Sequence, residues 1–205
     1  MSFEVVSKFE KEIAKFYGSP YAIATDSCTH GIEICIKYLR ANKIIVPRRT
    51  YLSVPMLAHK LQIDLEWKDE KWENYYEIEC KKNMLPVEKK LYDAAVLWEE
   101  NSYLKGTFMC LSFQFQKHLS LGRGGMILTD DLAAKTKLKK MSYDGRLPDI
   151  PWRNQNVDTI GYHYYMTPET AQLGLDKLEK AKISTPKKWD IKDWPDLTKM
   201  DVFKY

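Results

Sequence analysis

Hydrophobic residues recur along much of the chain with the spacing of amphipathic helices. In residues 4–17 the apolar side chains lie mostly three or four positions apart: Val5, Val6, Phe9, Ile13, Phe16 and Tyr17. This pattern predicts a helix, and Gly18 and Pro20 are expected to end it. The same spacing and helix-start residues predict further helices at 31–39, 51–61, 131–141 and 167–181.

Short apolar runs bounded by turn residues predict strands between these helices. The runs lie at 21–25, 44–46, 63–67, 107–113 and 125–129, and residues 91–98 begin as another strand. Residues 71–90 are mixed in charge and contain Pro86, so we expect mostly loop there. Strands that alternate with helices indicate an α/β layer fold with a largely parallel sheet.

The end of the chain follows no periodic pattern. Residues 183–205 contain two prolines and four aspartates. We therefore divide the chain into a domain at 1–182 and an irregular C-terminal tail at 183–205. The tail mixes basic and aromatic residues, namely Lys187, Lys188, Trp189, Lys192 and Trp194. Such a mixture usually packs or is solvated, and we do not expect it to bind nucleic acid.

Composition narrows the class of protein. The 205 residues are 44% hydrophobic and 29% charged, as in a globular domain. No apolar stretch is long enough for a membrane-spanning helix, and charges stand where a signal peptide would be apolar, so we expect a cytoplasmic protein. The four cysteines form no CxxC pair and there are four histidines, which makes a metal site or a disulfide scaffold unexpected. The net charge of +4 is dispersed.

Three groups of polar residues follow predicted strands, where ligands of such sheets bind. Residues 26–29 (Asp-Ser-Cys-Thr) open a helix, either as an anion site or as an ordinary N-cap. Asp93 ends an apolar strand, where a carboxylate is costly unless it is paired. Lys117 follows Ser112 through an aromatic-rich link. It is either a desolvated, nucleophilic amine or a solvated loop lysine.

Taken in chain order, these groups resemble the DegT/DnrJ/EryC1/StrS family of pyridoxal-phosphate-dependent sugar aminotransferases. The resemblance covers about residues 9–181 and rests on short ordered motifs: Phe9-Glu10, Phe16-Tyr17-Gly18, Ser27-Cys28-Thr29, Pro47-x-x-Thr50-Tyr51, Asp93-Ala94-Ala95, Ser112-Phe113-x-x-x-Lys117, Gly122-Arg123-Gly124-Gly125 and residues 161–175. It implies a three-layer αβα large domain of fold type I. Relatives are nearly twice as long, so we expect the C-terminal small domain to be largely absent here.

The resemblance also implies a role for each matching residue. Lys117 would be the catalytic residue, which binds the aldehyde of pyridoxal 5'-phosphate and later moves a proton. Asp93 would keep the pyridine nitrogen protonated, and Tyr51 would stack on the cofactor ring. The phosphate would be bound at Cys28, Thr29 and Ser112. In a homodimer, His163 would reach the phosphate of the partner subunit.

The implied reaction is amino transfer from an amino acid such as glutamate to a nucleotide-linked keto sugar. The sequence departs from the family at Val96, where relatives carry Gln or His, and at His163 and Tyr165, where relatives carry Asn and Arg. Two alternatives stay open for this reason. One is a degenerate, non-catalytic subunit or partner protein, and the other is a dehydration or epimerisation with the same cofactor.

Overall fold

The computed structural model describes residues 2–204. Its five α-helices are α1 (Glu4–Tyr17), α2 (Cys28–Leu39), α3 (Ser53–Leu61), α4 (Leu132–Ser142) and α5 (Pro168–Ile183). Its eight strands are β1 (Tyr21–Thr25), β2 (Lys43–Pro47), β3 (Asp64–Lys68), β4 (Tyr76–Lys82), β5 (Leu85–Pro86), β6 (Lys90–Asp93), β7 (Thr107–Ser112) and β8 (Gly125–Thr129). None of the helices within this described range is both long and apolar enough to cross a membrane.

Local signals account for where the helices begin and end. The backbone of Gly18 adopts a left-handed conformation with φ of 72°, which ends α1 as predicted. The side chain of Asp131 caps α4, and Pro168 occupies the first turn of α5. Helix α2 begins at Cys28 rather than at residue 31, because the Ser27 side chain accepts a hydrogen bond from the backbone N–H of His30.

The eight strands form one mixed sheet. Its order is β1-β8-β7-β6-β4-β2-β3, and β5 pairs with β4. Strands β4 and β8 run against the others, and the rest share one direction. Most strands thus run in the same direction, which confirms the prediction of a largely parallel α/β sheet. The two reversed strands nevertheless make most of the neighbouring pairs antiparallel.

Strand β4 corrects the prediction that residues 71–90 are mostly loop. Its side chains alternate, with Tyr76, Ile78 and Cys80 buried and the residues between them more exposed. A parallel strand would need a crossover of a dozen or more residues, whereas only residues 69–75 separate β3 from β4. The short link therefore suits an antiparallel strand, which needs no crossover helix.

Helices cover both faces of the sheet. Helices α1 and α5 pack on one face in a cluster that includes Met109 and Leu111 of β7. Helices α2, α3 and α4 pack on the other face, where the alternate side chains Phe108 and Cys110 point. The expected three-layer αβα arrangement is confirmed.

Residues 184–204, called the cover segment below, fold back over the end of β2. They contain three short 3₁₀ helices, Ile191–Asp193, Leu197–Lys199 and Asp201–Phe203. The Leu197 side chain is buried, and its backbone N–H donates to the Arg48 carbonyl at 2.9 Å. Arg48 Nε also donates to Asp196 Oδ2 at 3.1 Å. The segment is irregular in sequence pattern but is packed against the domain.

Candidate active site

A cavity of about 490 Å³ opens at the ends of β6 and β7, beside the first turns of α2 and α3. Several residues singled out from the sequence lie together in its wall: Cys28, Thr29, Tyr51, Asp93, Ser112 and Lys117. Carboxyl ends of neighbouring strands meet at one edge of an α/β sheet, which explains why residues distant in sequence converge here. The volume lies in the range of small-molecule sites. The individual roles of these residues stay predictions.

Asp93 forms the polar floor of the cavity. Its side chain is 5% exposed. One oxygen, Oδ2, accepts a hydrogen bond from the Tyr76 hydroxyl at 2.7 Å, and Oδ1 accepts one from the Ala95 backbone N–H at 2.9 Å. Burial raises the pKa of Asp93 above its ordinary value, while these two hydrogen bonds and the nearby Lys117 oppose the rise. The carboxyl group is thus paired, as its position at the end of an apolar strand requires.

Tyr76 is a site residue that the sequence interpretation missed. Because β4 runs antiparallel to β6, the start of β4 lies opposite the end of β6, and Tyr76 pairs in register with Asp93. The buried phenol also hydrogen-bonds the Thr50 hydroxyl. The alternation of apolar and charged residues at 76–80 was the available signal for the strand, but nothing in it indicates the contact with Asp93.

Replacing Tyr76 with phenylalanine is expected to raise the pKa of Asp93 further, because a hydrogen bond that favours the carboxylate is lost. A carboxyl group whose pKa is higher in the folded protein than in the unfolded protein lowers stability as the pH rises. The loss develops as the pH passes from the unfolded-state pKa to the folded-state pKa. We expect the variant to lose about 1.5–3 kcal/mol of unfolding free energy near neutral pH and less in mild acid. Urea unfolding of the variant and of the unchanged protein at several pH values measures the loss of unfolding free energy and its dependence on pH.

Tyr17→Phe is the matched control, since its buried hydroxyl donates to a carbonyl, that of Leu97, rather than to a carboxylate. Its loss of stability should be the same at each pH. A Tyr76→Phe loss that is equally independent of pH would contradict the coupling between Tyr76 and Asp93.

Lys117 lies in the loop that follows β7, lines the cavity and is half-buried. Its Nζ is 4.5 Å from the centroid of the Trp189 ring and 5.8 Å from that of Trp194. Burial lowers the pKa of the Lys117 amine, although Asp93 pulls it upward. An amine with a lowered pKa is more often neutral and therefore nucleophilic.

The first turn of α2 offers the features of an anion site. The first N–H groups of a helix have no acceptor within the helix, and Cys28 and Thr29 line the cavity. The Thr29 hydroxyl lies 2.7 Å from that of Ser53. Arg123 also lines the cavity, held by Asp26 through Nη2–Oδ2 at 2.7 Å. Gly125 allows β8 to approach this turn, because a Cβ there would lie 2.4 Å from the Cys28 backbone nitrogen.

Cys28 contributes its backbone rather than its thiol to this turn. The Sγ atom lies 3.4 Å from the Cys110 carbonyl oxygen and 4.0 Å from Asp93 Oδ1. Burial raises the pKa of the Cys28 thiol well above its usual value, so the thiol stays protonated at neutral pH. No cluster of histidine, cysteine, aspartate or glutamate suited to a metal ion occurs among residues 2–204.

Of three further residues singled out from the sequence, two line the cavity and one does not. Tyr51 lines the cavity with 52% of its surface exposed, and its ring lies edge-on to Trp194 at 6.3 Å. Val96 also lines the cavity and cannot form a side-chain hydrogen bond there. His163 lies outside the cavity lining, 71% exposed, with Nδ1 3.1 Å from Asp144 Oδ2.

The cover segment supplies cavity residues that the sequence did not indicate. Trp189 and Trp194 stack on each other at 5.7 Å and form part of the wall above Lys117. The Trp194 carbonyl accepts a hydrogen bond from Arg49 Nη1 at 2.7 Å. A basic and aromatic tail without periodicity carries no signal for such a position, because the contact joins residues far apart in the chain.

The fold is that of solved sugar aminotransferases. Sugar aminotransferase CalS13 from Micromonospora echinospora superposes with a TM-score of 0.74 at 13% identity, over 86% of this chain and 60% of that chain. The family model of the DegT/DnrJ/EryC1/StrS aminotransferase family matches residues 1–64 and 104–193. The chain therefore belongs to this family. Residues 65–103, which include β4 and Asp93, lie outside the matched ranges.

Two curated relatives extend the comparison. GDP-perosamine synthase from Caulobacter vibrioides is 26% identical over 214 residues, which cover 85% of this chain and 56% of that protein. Uncharacterized protein MJ1066 from Methanocaldococcus jannaschii is 23% identical over 237 residues, which cover 90% of this chain and 59% of that protein. The chain thus spans less than two thirds of the length of these relatives.

Proposed function

We propose that this chain binds pyridoxal 5'-phosphate and transfers an amino group from an amino acid such as glutamate to a nucleotide-linked keto sugar. The observation that carries the proposal is one cavity with a desolvated lysine amine, a buried carboxylate and a helix N-terminus. Family membership supports the reaction class, and the name of the Caulobacter relative supports a nucleotide-linked sugar as acceptor.

The cavity residues fit this cofactor. Asp93 would face the pyridine nitrogen, because a buried carboxylate stabilises a cation there. The first turn of α2, with Thr29, Ser53 and Arg123, would hold the phosphate through N–H, hydroxyl and guanidinium donors. Ser112 would add a hydroxyl to this group, and Tyr51 would contact the ring.

The cofactor supplies an electron sink that makes the α-proton of an amino acid removable. The protein's own contribution is to place groups around that step. Lys117 Nζ would take the proton and return it to a different carbon, while Asp93 holds a proton on the ring nitrogen by staying ionised. Val96 leaves the adjacent part of the wall without a hydrogen-bond donor, so orientation would depend more on Asp93 and the phosphate site.

The purified chain mixed with pyridoxal 5'-phosphate tests the proposal. Covalent attachment to an amine gives a visible absorption band, and glutamate should shift it if the first half of the amino transfer occurs. A panel of nucleotide-linked keto sugars, followed by mass spectrometry of the products, identifies the acceptor. A protein that stays colourless would instead favour the non-catalytic subunit. A sugar product that has lost water or changed configuration would favour the other chemistry.

We also propose a homodimer in which His163 reaches the phosphate site of the partner subunit. In one chain His163 lies outside the lining of its own cavity, and its ring centroid is 4.6 Å from that of Tyr165. Phe3, Tyr143 and Tyr165 form an aromatic cluster beside it, and Ile160 nearby in sequence is 82% exposed. Aromatic residues are enriched at subunit interfaces.

Sedimentation measures the dimer directly and should give twice the mass of one chain. Mixing Lys117→Ala chains with His163→Ala chains then tests the crossing of the interface. If His163 serves the partner's lysine, the heterodimer should contain one site with both changes and one intact site. A monomer that binds the cofactor tightly would contradict the proposal.

A further inference from the structure

Two lysines approach the same tryptophan ring at the edge of the cavity. The Nζ atom of Lys117 lies 4.5 Å from the Trp189 ring centroid, and the Nζ atom of Lys187 lies 4.0 Å from it. Lys187 Nζ also lies 3.5 Å from the carbonyl oxygen of Gln116, the residue before Lys117. Lys187 comes from the cover segment, so this arrangement exists only because residues 184–204 fold back over the cavity.

We propose that Lys187 is a positioning residue that activates Lys117, because its charge, held on the Trp189 ring, disfavours the ammonium form of Lys117. The neutral amine is then available to an aldehyde near neutral pH. This inference rests on the proposed function for the identity of Lys117 as the nucleophile. A neighbouring cation and a desolvated site are two established ways to activate a lysine, and both are present here.

The charges that face Lys117 act in opposite directions. Burial has the largest effect and lowers the pKa of the amine. Asp93 opposes this, since a nearby negative charge favours an ammonium ion, while the Cys28 thiol stays protonated and carries no charge at neutral pH. Lys187 adds to the effect of burial, because two ammonium groups near one ring repel each other. Lys187 therefore offsets part of the attraction that Asp93 exerts.

The position of Lys187 is fixed by more than its own side chain. Trp189, on which its amine lies, stacks on Trp194 with an angle of 20° between the ring planes. Trp194 is in turn held through its carbonyl by Arg49 and contacts Trp72 at 5.8 Å. Lys187 is exposed, but its amine lies on this packed aromatic group beside the cavity.

The test measures the reactivity of Lys117 in the full chain without cofactor. Formaldehyde with cyanoborohydride methylates neutral amines, since the carbonyl oxygen leaves as water and hydride reduces the carbon. Peptide mass spectrometry at a series of pH values gives the labelling rate of each lysine. In the unchanged protein, Lys117 should reach half its maximal rate at a lower pH than an ordinary exposed lysine would. The substitutions Lys187→Arg, Lys187→Met and Lys187→Glu respectively keep, remove and reverse the charge at this position.

We expect the pH midpoint of Lys117 labelling to be the same in the unchanged protein and in Lys187→Arg. It should be higher in Lys187→Met and highest in Lys187→Glu. At neutral pH the rate should fall roughly two- to fivefold in Lys187→Met, the effect of one partly exposed charge pair. Lys188→Met is the matched control, because it removes the same charge from the next residue, which is not among the charges that act on Lys117, and it should leave the midpoint unchanged.

A midpoint that does not change across the Lys187 series would overturn the proposal, and so would an equal change in Lys188→Met. Circular dichroism of each variant checks that the fold is kept. Cofactor absorption, recorded separately, distinguishes the two proposals. A shifted midpoint without any cofactor band would mean that the lysine pair exists while the proposed function fails.

Discussion

Replacing Lys117 with alanine is expected to abolish covalent attachment of pyridoxal 5'-phosphate. The amine lies in the cavity wall and is the attachment group implied by the family motif, whereas its side chain contributes little to either core cluster. The unfolding free energy should therefore change by less than about 1 kcal/mol. The visible absorption band should disappear altogether.

Borohydride reduction and peptide mapping of the unchanged protein locate the attachment independently. The cofactor should be found on the peptide that carries Lys117. Lys105→Ala is the control, since Lys105 is exposed and lies outside the cavity lining. A cofactor found mainly on Lys105, or spread over several surface lysines, would refute the assignment.

Replacing Asp93 with asparagine is expected to stop chemistry while some cofactor is still bound. The amide oxygen can still accept from the Ala95 backbone N–H, and the amide N–H can donate to the Tyr76 hydroxyl oxygen, so the fold should persist. It cannot carry the negative charge that a protonated ring nitrogen requires. We expect the exchange of the glutamate α-proton to slow by roughly 10²–10³-fold, comparable to removing one electrostatic contact in other enzymes.

Loss of the α-proton signal in deuterated water, followed by NMR, measures this exchange. Asp176→Asn on the exposed surface of α5 is the control and should exchange normally, because its side chain bonds Gln172 on the same helix. If Asp93 is a plain strand-end cap, its replacement would instead lower stability and leave the exchange unchanged.

Local patterns in the sequence were sufficient for most helices and strands. Helix α1 needs only its apolar spacing and Gly18, and β1 needs only a short apolar run, because both are determined by residues adjacent in sequence. The composition does not reveal strand β4, because glutamates and lysines occupy its more exposed positions. A segment with so many charged residues resembles a loop. Taken at every second position, Tyr76, Ile78 and Cys80 mark a strand with one buried face.

The candidate site was predictable only where residues follow strand ends. Asp93, Ser112 and Lys117 converge because the ends of β6 and β7 are neighbours, which the α/β pattern implies. Trp189 reaches Lys117 from a segment without periodicity, and Tyr76 reaches Asp93 through strand register. Both contacts depend on tertiary packing between residues far apart in the chain, and no local sequence pattern encodes these contacts.

The reversed direction of β4 also indicates where the protein can accept an added sequence. Tyr76 lies at the cavity, so the opposite end of β4 and its turn lie roughly 20 Å away, one strand length along the sheet. Asn83 and Met84 form that turn with positive φ angles of 50° and 69°, and the Met84 side chain is 74% exposed. A short affinity tag or fluorophore-binding loop inserted between these two residues should report on the protein without perturbing ligand binding.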